Sequence, residues 1–465
     1  MANAHPNGAD RAAPPHRSIM VNAYASGAPT ALPPESQELL RRRERVLGSP
    51  YRLFYREPVH LVRGSGAHLF DAQGNDYLDA YNNVPAVGHA NPRVQAAVGE
   101  QLGVLNTHTR YLTDDVVDYA ERLTGLFPAP LSQAIFACTG SEAVDLALRI
   151  ARHRASAPGV IVTRNAYHGT TTAAAEISPS LGDGNPLPPY VALVDAPDSV
   201  RGAGPEAAER EFLAQISAAI ERLTARGFGF AGMIVDSVLS SDGLRLEPAG
   251  FLTRAARLVR AAGGLTIADE VQPGFGRTGS WWGFQRHTAD APGFAPDLVV
   301  LGKPMGNGVP ISAVIGSAEI FEAFGSEVRY FNTFGGSAAS IAAAGAVLDE
   351  IAERRLLEHA ARVGSILLSG LRDLAADSER RGRGPRIAEV RGAGLFLSVE
   401  YASDADGTPD PEAAVRMVDA LRERRILVSA SGTHENVLKI RPPLVFDDAD
   451  AARFLDGFAE ASAAR

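Results

Sequence analysis

This chain does almost without cysteine and lysine. Cys138 is the single cysteine, which excludes an intrachain disulfide framework and a cysteine-based zinc site. Among 45 basic residues only Lys303 and Lys439 are lysines. A coding bias toward arginine accounts for that excess but not for the two exceptions. Arginine keeps its proton near neutral pH, so it can neither form a Schiff base nor act as a base there. A chain that avoids lysine elsewhere keeps one where a primary amine does chemistry. Positive charge is not in surplus either. The 45 basic residues face 54 acidic ones, a net charge of −9, which argues against a nucleic-acid-binding face. A locally positive pocket for an anionic small molecule stays open. Long apolar runs are also missing. The stretch from Gly335 to Leu348 is too short and too rich in Ala and Gly to span a bilayer. The N-terminus shows no apolar signal-peptide core and carries Asp10, so a cytoplasmic location is expected.

What is present is a 465-residue chain, 45% hydrophobic and 21% charged, ample for a large core without staples. Residues 1–36 are rich in Ala and Pro and lack periodicity, which predicts a disordered tail or loose arm. Residues 37–89 hold a helix near Ser36–Leu47 and a β-hairpin turning at Gln73-Gly74-Asn75. Over residues 90–350, seven short apolar strands alternate with helical segments. The strands are Ala134–Cys138, Val160–Thr163, Val191–Val194, Gly232–Asp236, Leu265–Asp269, Leu298–Leu301 and Ser312–Ile315. That order predicts an α/β fold, a mostly parallel seven-stranded sheet covered by helices. Residues 351–465, with strands at Leu395–Glu400 and Ile426–Ser429, predict a smaller α+β domain that the N-terminal segment joins.

In an open α/β sheet, ligands bind beyond the carboxyl ends of the strands, and the informative residues follow strands here. Thr139-Gly140-Ser141-Glu142 comes after the first strand and opens a helix, a placement suited to phosphate or to a plain helix cap. Tyr167-His168-Gly169 follows the second strand, where an aromatic ring can stack on a planar ligand. Leu265–Asp269 ends in Asp269-Glu270, and a carboxylate at a buried strand tip needs a positive partner. Gly274-Phe275-Gly276-Arg277-Thr278-Gly279 has the G-x-G-x-x-G spacing but not the strand-to-helix setting of a dinucleotide site. A glycine-rich active-site loop is expected instead. Leu298–Leu301 runs into Gly302-Lys303-Pro304-Met305-Gly306-Asn307-Gly308, which puts one of the two lysines directly after a strand. A phosphate turn, an aromatic, a buried Asp and a loop Lys together suit pyridoxal 5′-phosphate, with the Asp holding a proton on the pyridine nitrogen. No metal site is expected.

At Asp269-Glu270-Val271-Gln272-Pro273-Gly274-Phe275-Gly276-Arg277-Thr278-Gly279 and Gly302–Gly308 the chain resembles the class III, fold-type I pyridoxal-phosphate aminotransferases over residues 36–460. Asn82-Asn83-Val84, Val87-Gly88-His89, Leu105-Asn106-Thr107 and Asn436–Pro443 are similar to the subgroup of alanine–glyoxylate aminotransferase-like proteins and ethanolamine-phosphate phospho-lyase. The resemblance implies that Lys303 is the Schiff-base lysine and that Asp269 pairs with the ring nitrogen. It puts Val271 and Tyr167 on the two ring faces, Gln272 near the ring hydroxyl, and Gly140 and Ser141 on the cofactor phosphate. Thr333 would complete that phosphate site in a neighbouring subunit, so a homodimer with sites at the interface is implied. Two departures stand out. Asp236-Ser237 and Ser240-Ser241-Asp242-Gly243 replace the Glu-Pro and Gln-Gly of many relatives, and Lys439 stands where ornithine-type relatives carry an arginine for the substrate carboxylate. Lys439 reads as a solvated strand-edge residue or as a substrate-binding anion anchor. The expected activity is transfer of an amino group from an amine or amino acid to a keto acid or aldehyde. The alternative is a lyase that eliminates phosphate or ammonia on the same scaffold. A non-catalytic cofactor-binding protein is the rival from another class.

Overall fold

The computed structural model describes residues 20–28, 30–202, 204–287, 294–382 and 384–463. Its strands, in chain order, are β1 Leu61–Ser65, β2 His68–Asp71, β3 Asp76–Asp79, β4 Gln133–Ala137, β5 Val160–Thr163, β6 Val191–Val194, β7 Gly232–Asp236 and β8 Leu265–Asp269. They continue with β9 Leu298–Leu301, β10 Ser312–Gly316, β11 Ile387–Ala393, β12 Phe396–Tyr401, β13 Ile426–Leu427, β14 Ser429–Ser431 and β15 Val437–Ile440.

Seven strands form the central sheet in the order β4-β10-β9-β8-β7-β5-β6. Only β10 runs against its neighbours, pairing antiparallel with both β4 and β9. The apolar runs explain this placement. All four residues of β9 are fully buried, as are Ala313, Val314 and Ile315 of β10, as expected for strands with helices over both faces. The helix Gly140–Ala155 covers one face and buries Val144, Leu146, Ala147, Leu148 and Ile150. The parallel strands direct the carboxyl ends of β4, β5, β7, β8 and β9 to one edge.

Two small sheets flank this layer. β11-β12-β15-β14 is antiparallel, while β1-β2-β3 is extended by β13, which pairs parallel with β3 at Leu78↔Ile426 and Asp79↔Leu427. The stretch Ile426–Ser429, expected as one strand, is therefore split between two sheets. Residues 1–19 lie outside the described residues, but Asn22 and Tyr24 are buried, and the backbone of Tyr24 and Tyr55 bonds to Leu53 and Asn22. Among the described residues, no helix is long and apolar enough to cross a membrane.

Candidate active site

β8 ends at Asp269, which is 5% exposed. Its Oδ1 accepts from the Val271 backbone N–H at 3.0 Å, and its Oδ2 lies 2.7 Å from Nδ1 of His168. His168 is buried too, and its backbone N–H donates to Ser178 Oγ at 2.8 Å. The carboxylate calls for the hydrogen on Nδ1, which leaves Nε2 as an acceptor; that atom is buried without a partner. His168 thus supports the strand-end carboxylate. Its position beside Tyr167 was visible in the sequence, but nothing there said that it meets Asp269.

The phosphate turn, the Tyr167 loop and the lysine loop press together over the sheet edge. A Cβ on Gly140 would meet Val271 Cγ2 at 3.1 Å, and one on Gly302 would meet Gly140 Cα at 3.3 Å. A Cβ on Gly169 would fall 2.5 Å from Ser141 Oγ, which accepts from the Thr170 backbone N–H at 3.0 Å. Thr139 caps the helix by accepting from Glu142 N–H at 3.2 Å. The Gly140-Ser141 backbone N–H groups at its first turn are the kind that bind phosphate. Glu142 also accepts from Cys138 N–H and from Asn332 Nδ2, at 2.8 and 3.2 Å, and so anchors the loop on which Thr333 is exposed. Tyr167 is 37% exposed, and partial burial first, then the nearby Asp269, raise the pKa of its phenol.

Lys303 sits at the start of its loop with φ +31°. Burial, then the nearby Arg441 charge, push its amine down to about 8 against the opposing pull of Asp269 and Asp236. Lys439 is 8% exposed on β15, opposite Ser398 and Ser429 in register. Burial and then Arg441 push its ammonium down to about 7, against the pull of Asp236. The solvated-edge alternative for Lys439 is therefore wrong: β12 and β14 flank the residue and the loop after β7 lies across it, since Ser398 Oγ contacts Gly243 O at 3.5 Å.

Gln272 is held at both ends of its amide. Nε2 donates to Ser240 Oγ at 2.7 Å, and Oε1 accepts a short hydrogen bond from Arg441 Nη1. Arg441 also donates from Nε to Tyr81 O at 3.0 Å and lies 4.5 Å from the centre of the Tyr81 ring. Sequence reasoning gave Arg441 no role, because in an arginine-rich chain one more arginine carries no signal.

One expectation needs correction, and one neighbour of the site needs placing. Asp269 and Glu270, adjacent in sequence, serve different places. Glu270 turns away and accepts from Ser237 Oγ, Gly283 N–H and Phe284 N–H at 2.5, 2.7 and 2.8 Å. Its burial still pushes its carboxyl up to about 8. The Gly274–Gly279 loop is packing rather than a ligand loop. Arg277 is buried and donates to the carbonyls of Leu395 and Pro442, and a Cβ on Gly279 would meet Ala361 at 3.0 Å. Small residues there permit close approach of the long helix Leu356–Arg381.

An α/β sheet edge with a lysine amine that has no hydrogen-bond partner among the described residues, a carboxylate braced by histidine, a flanking valine and a helix-terminus turn of small residues defines a pyridoxal 5′-phosphate enzyme of fold type I. A lysine amine without a hydrogen-bond partner among the described residues, a histidine-braced carboxylate and a helix start at Gly140-Ser141 too crowded for a Cβ on Gly140 are the groups that cofactor requires, so the residues present fit it. The chain belongs to the class III aminotransferase family, whose model matches residues 55–461, and this family is pyridoxal-phosphate-dependent. It is 40% identical to an alanine–glyoxylate aminotransferase 2-like protein of Drosophila melanogaster, over 91% of this chain and 86% of that one. It is 37% identical to an ethanolamine-phosphate phospho-lyase homolog of Caenorhabditis elegans, over 89% and 90% of the two chains. Among solved structures it resembles a phospholyase from Arthrobacter in complex with phosphoethanolamine, with TM-score 0.86 and 42% identity over 92% of this chain and 100% of the other. Among the described residues, no cluster of side chains could hold a metal ion.

Proposed function

We propose that this enzyme acts on a small primary amine that carries an anionic group, and that it eliminates phosphate from an amino-phosphate. The observation that carries this reading is the ammonium of Lys439, buried beside Lys303 and without a hydrogen-bond partner among the described residues. A compact point charge suits a phosphate oxygen as well as a carboxylate, whereas a guanidinium fork favours the planar carboxylate. The phospho-lyase names among the relatives support the same direction. Transamination is the second reading, supported by the aminotransferase names among relatives of similar identity.

When bound, pyridoxal phosphate supplies an electron sink for negative charge on the substrate carbon. Lys303 provides the amine that holds the cofactor. Its Nζ, lowered toward neutrality by burial, takes the proton from the amine-bearing carbon. In elimination, the C–O bond to phosphate breaks and its electron pair leaves with the phosphate oxygen. Hydrolysis of the organic product yields ammonia and a carbonyl compound. Asp269, oriented by His168, would keep a proton on the ring nitrogen. Val271 and Tyr167 would hold the ring between them, the remaining N–H of Gln272 would serve the ring hydroxyl, and Gly140 and Ser141 would take the cofactor phosphate. The test is to mix the loaded enzyme with amino-phosphates and no keto acid. Many turnovers of released phosphate support elimination, and a single stoichiometric turnover to ketone supports transamination.

Lys439→Ala should raise KM for anionic amines about ten- to a hundredfold, the loss of one charged hydrogen bond, with little effect on neutral amines. The sign of the pH effect follows from its lowered pKa. The ammonium is lost as pH rises through about 7, so KM for an anionic amine should climb above that pH in the wild type. Lys439→Arg, which does not titrate there, should flatten the climb. Steady-state KM measured from mildly acidic to mildly alkaline pH checks both.

We also read the chain as a homodimer in which Thr333 of the partner subunit completes the cofactor phosphate site. In its support, Tyr111, Leu112 and Phe334 are 65%, 96% and 68% exposed, an apolar patch around the Thr333 loop that a monomer would leave in water. Sedimentation should give twice the chain mass at assay concentration, and Leu112→Asp should shift it toward monomer with loss of cofactor. An active wild-type monomer would overturn this reading.

A further inference from the structure

The loop after β7 is where this sequence departs from many relatives, and it begins one hydrogen-bonded line across the site. Asp236, at the tip of β7, lies directly opposite Asp269 in register. Its Oδ1 accepts from Val238 N–H at 2.9 Å, and its Oδ2 accepts a short hydrogen bond from Ser240 Oγ. Ser240 in turn accepts from Gln272 Nε2, and Gln272 Oε1 accepts from Arg441 Nη1. The line therefore has an anion at one end and a cation at the other, with each donor pointing toward the anion. Such a chain polarises cooperatively and has one favoured direction. Gln272 cannot turn its amide over, since its oxygen would then face a hydroxyl already committed to Asp236 and its nitrogen would face a guanidinium.

Arg441 is only partly used by this line. Nε and Nη1 are bonded, but Nη2 has no hydrogen bond among the described residues. Arg441 follows Lys439 by two residues at the end of β15, and after burial its charge is what most depresses the proton affinity of both Lys303 and Lys439. Asp269 on β8, Asp236 on β7 and Asp242 in the loop are the carboxylates that face them. All three carboxylates are already engaged, by His168 and Val271, by Val238 and Ser240, and by Thr163 and Asn165. With Lys303 taken up by the cofactor, Arg441 and Lys439 keep donors that an entering anion would satisfy.

We propose that Arg441 is a further substrate-binding residue, which takes an oxygen of the substrate's phosphate beside Lys439 and is held in place by the relay Asp236–Ser240–Gln272. This rests on the anionic-substrate reading above. Asp236 touches no substrate in it and is a positioning residue.

The experiment is calorimetric titration of the cofactor-loaded enzyme with inorganic phosphate. Arg441→Met should weaken phosphate binding about ten- to a hundredfold while the visible cofactor band stays. Asp236→Asn keeps the shape of the relay but removes its anionic end, and should weaken phosphate severalfold; Asp236→Glu should recover most of that loss. A merely structural arginine would change the melting temperature but not this ordering. Phosphate affinity in Arg441→Met equal to that of the wild type overturns the proposal. Should that variant not fold, unchanged affinity in Asp236→Asn overturns it. If the loaded wild type itself binds no phosphate, the anionic-substrate reading fails as a whole; if it binds and Arg441→Met binds equally, only the role of Arg441 fails.

Discussion

Lys303→Arg is expected to fold, keep its charge and lose about 10³-fold or more in turnover. The side chain lies after a strand whose residues are all fully buried, in a loop closed by Pro304, Met305 and Gly306, which are buried as well. Arginine can occupy that place as a cation. It offers no amine to the cofactor carbonyl and no base at neutral pH, since its proton does not leave. The loss should therefore appear in kcat, with a melting temperature near that of the wild type. The wild-type amine reaches its working form easily, because burial and Arg441 bring it down to about 8. Turnover comparable to wild type in Lys303→Arg would move the chemistry to another group.

Asp269→Asn should still bind cofactor but react on the order of 10²–10³-fold more slowly, the scale of removing one preorganised electrostatic partner. Asn can keep the oxygen that accepts from Val271 N–H. Its amide nitrogen would then face His168 Nδ1, two donors in one place at what is now a 2.7 Å contact. The histidine must move its proton to Nε2, an atom buried without a partner. The substitution thus removes the charge that holds the ring proton and also unsettles its support. Rapid-mixing spectra and kcat check this; a wild-type rate would mean that Asp269 does not meet the ring nitrogen.

The fold was readable because its strands are short, apolar and bounded by turns. The central strands Val160–Thr163, Val191–Val194, Gly232–Asp236, Leu265–Asp269 and Leu298–Leu301 begin and end where the apolar runs do. The split of Ile426–Ser429 was not readable, since a change of sheet between Leu427 and Ser429 leaves no mark in hydrophobicity. The chemistry-bearing residues were legible where scarcity or strand-end position singled them out, as with Lys303 and Asp269. Their supports were not. His168, Ser240 and Arg441 act on partners 101, 32 and 169 residues away in the chain, and nothing in their local sequence names those partners. Glu270 shows the reverse limit, since adjacency to Asp269 does not bring it to the same site.

Because Lys303 and Lys439 are the chain's only lysines, one measurement tests the central claim with little ambiguity. The purified enzyme is loaded with pyridoxal phosphate, reduced with borohydride to fix the cofactor covalently, digested and mapped by mass spectrometry. The account predicts a visible band that reduction abolishes and a label on Lys303 alone. A label on Lys439, or no label on either lysine, would contradict it.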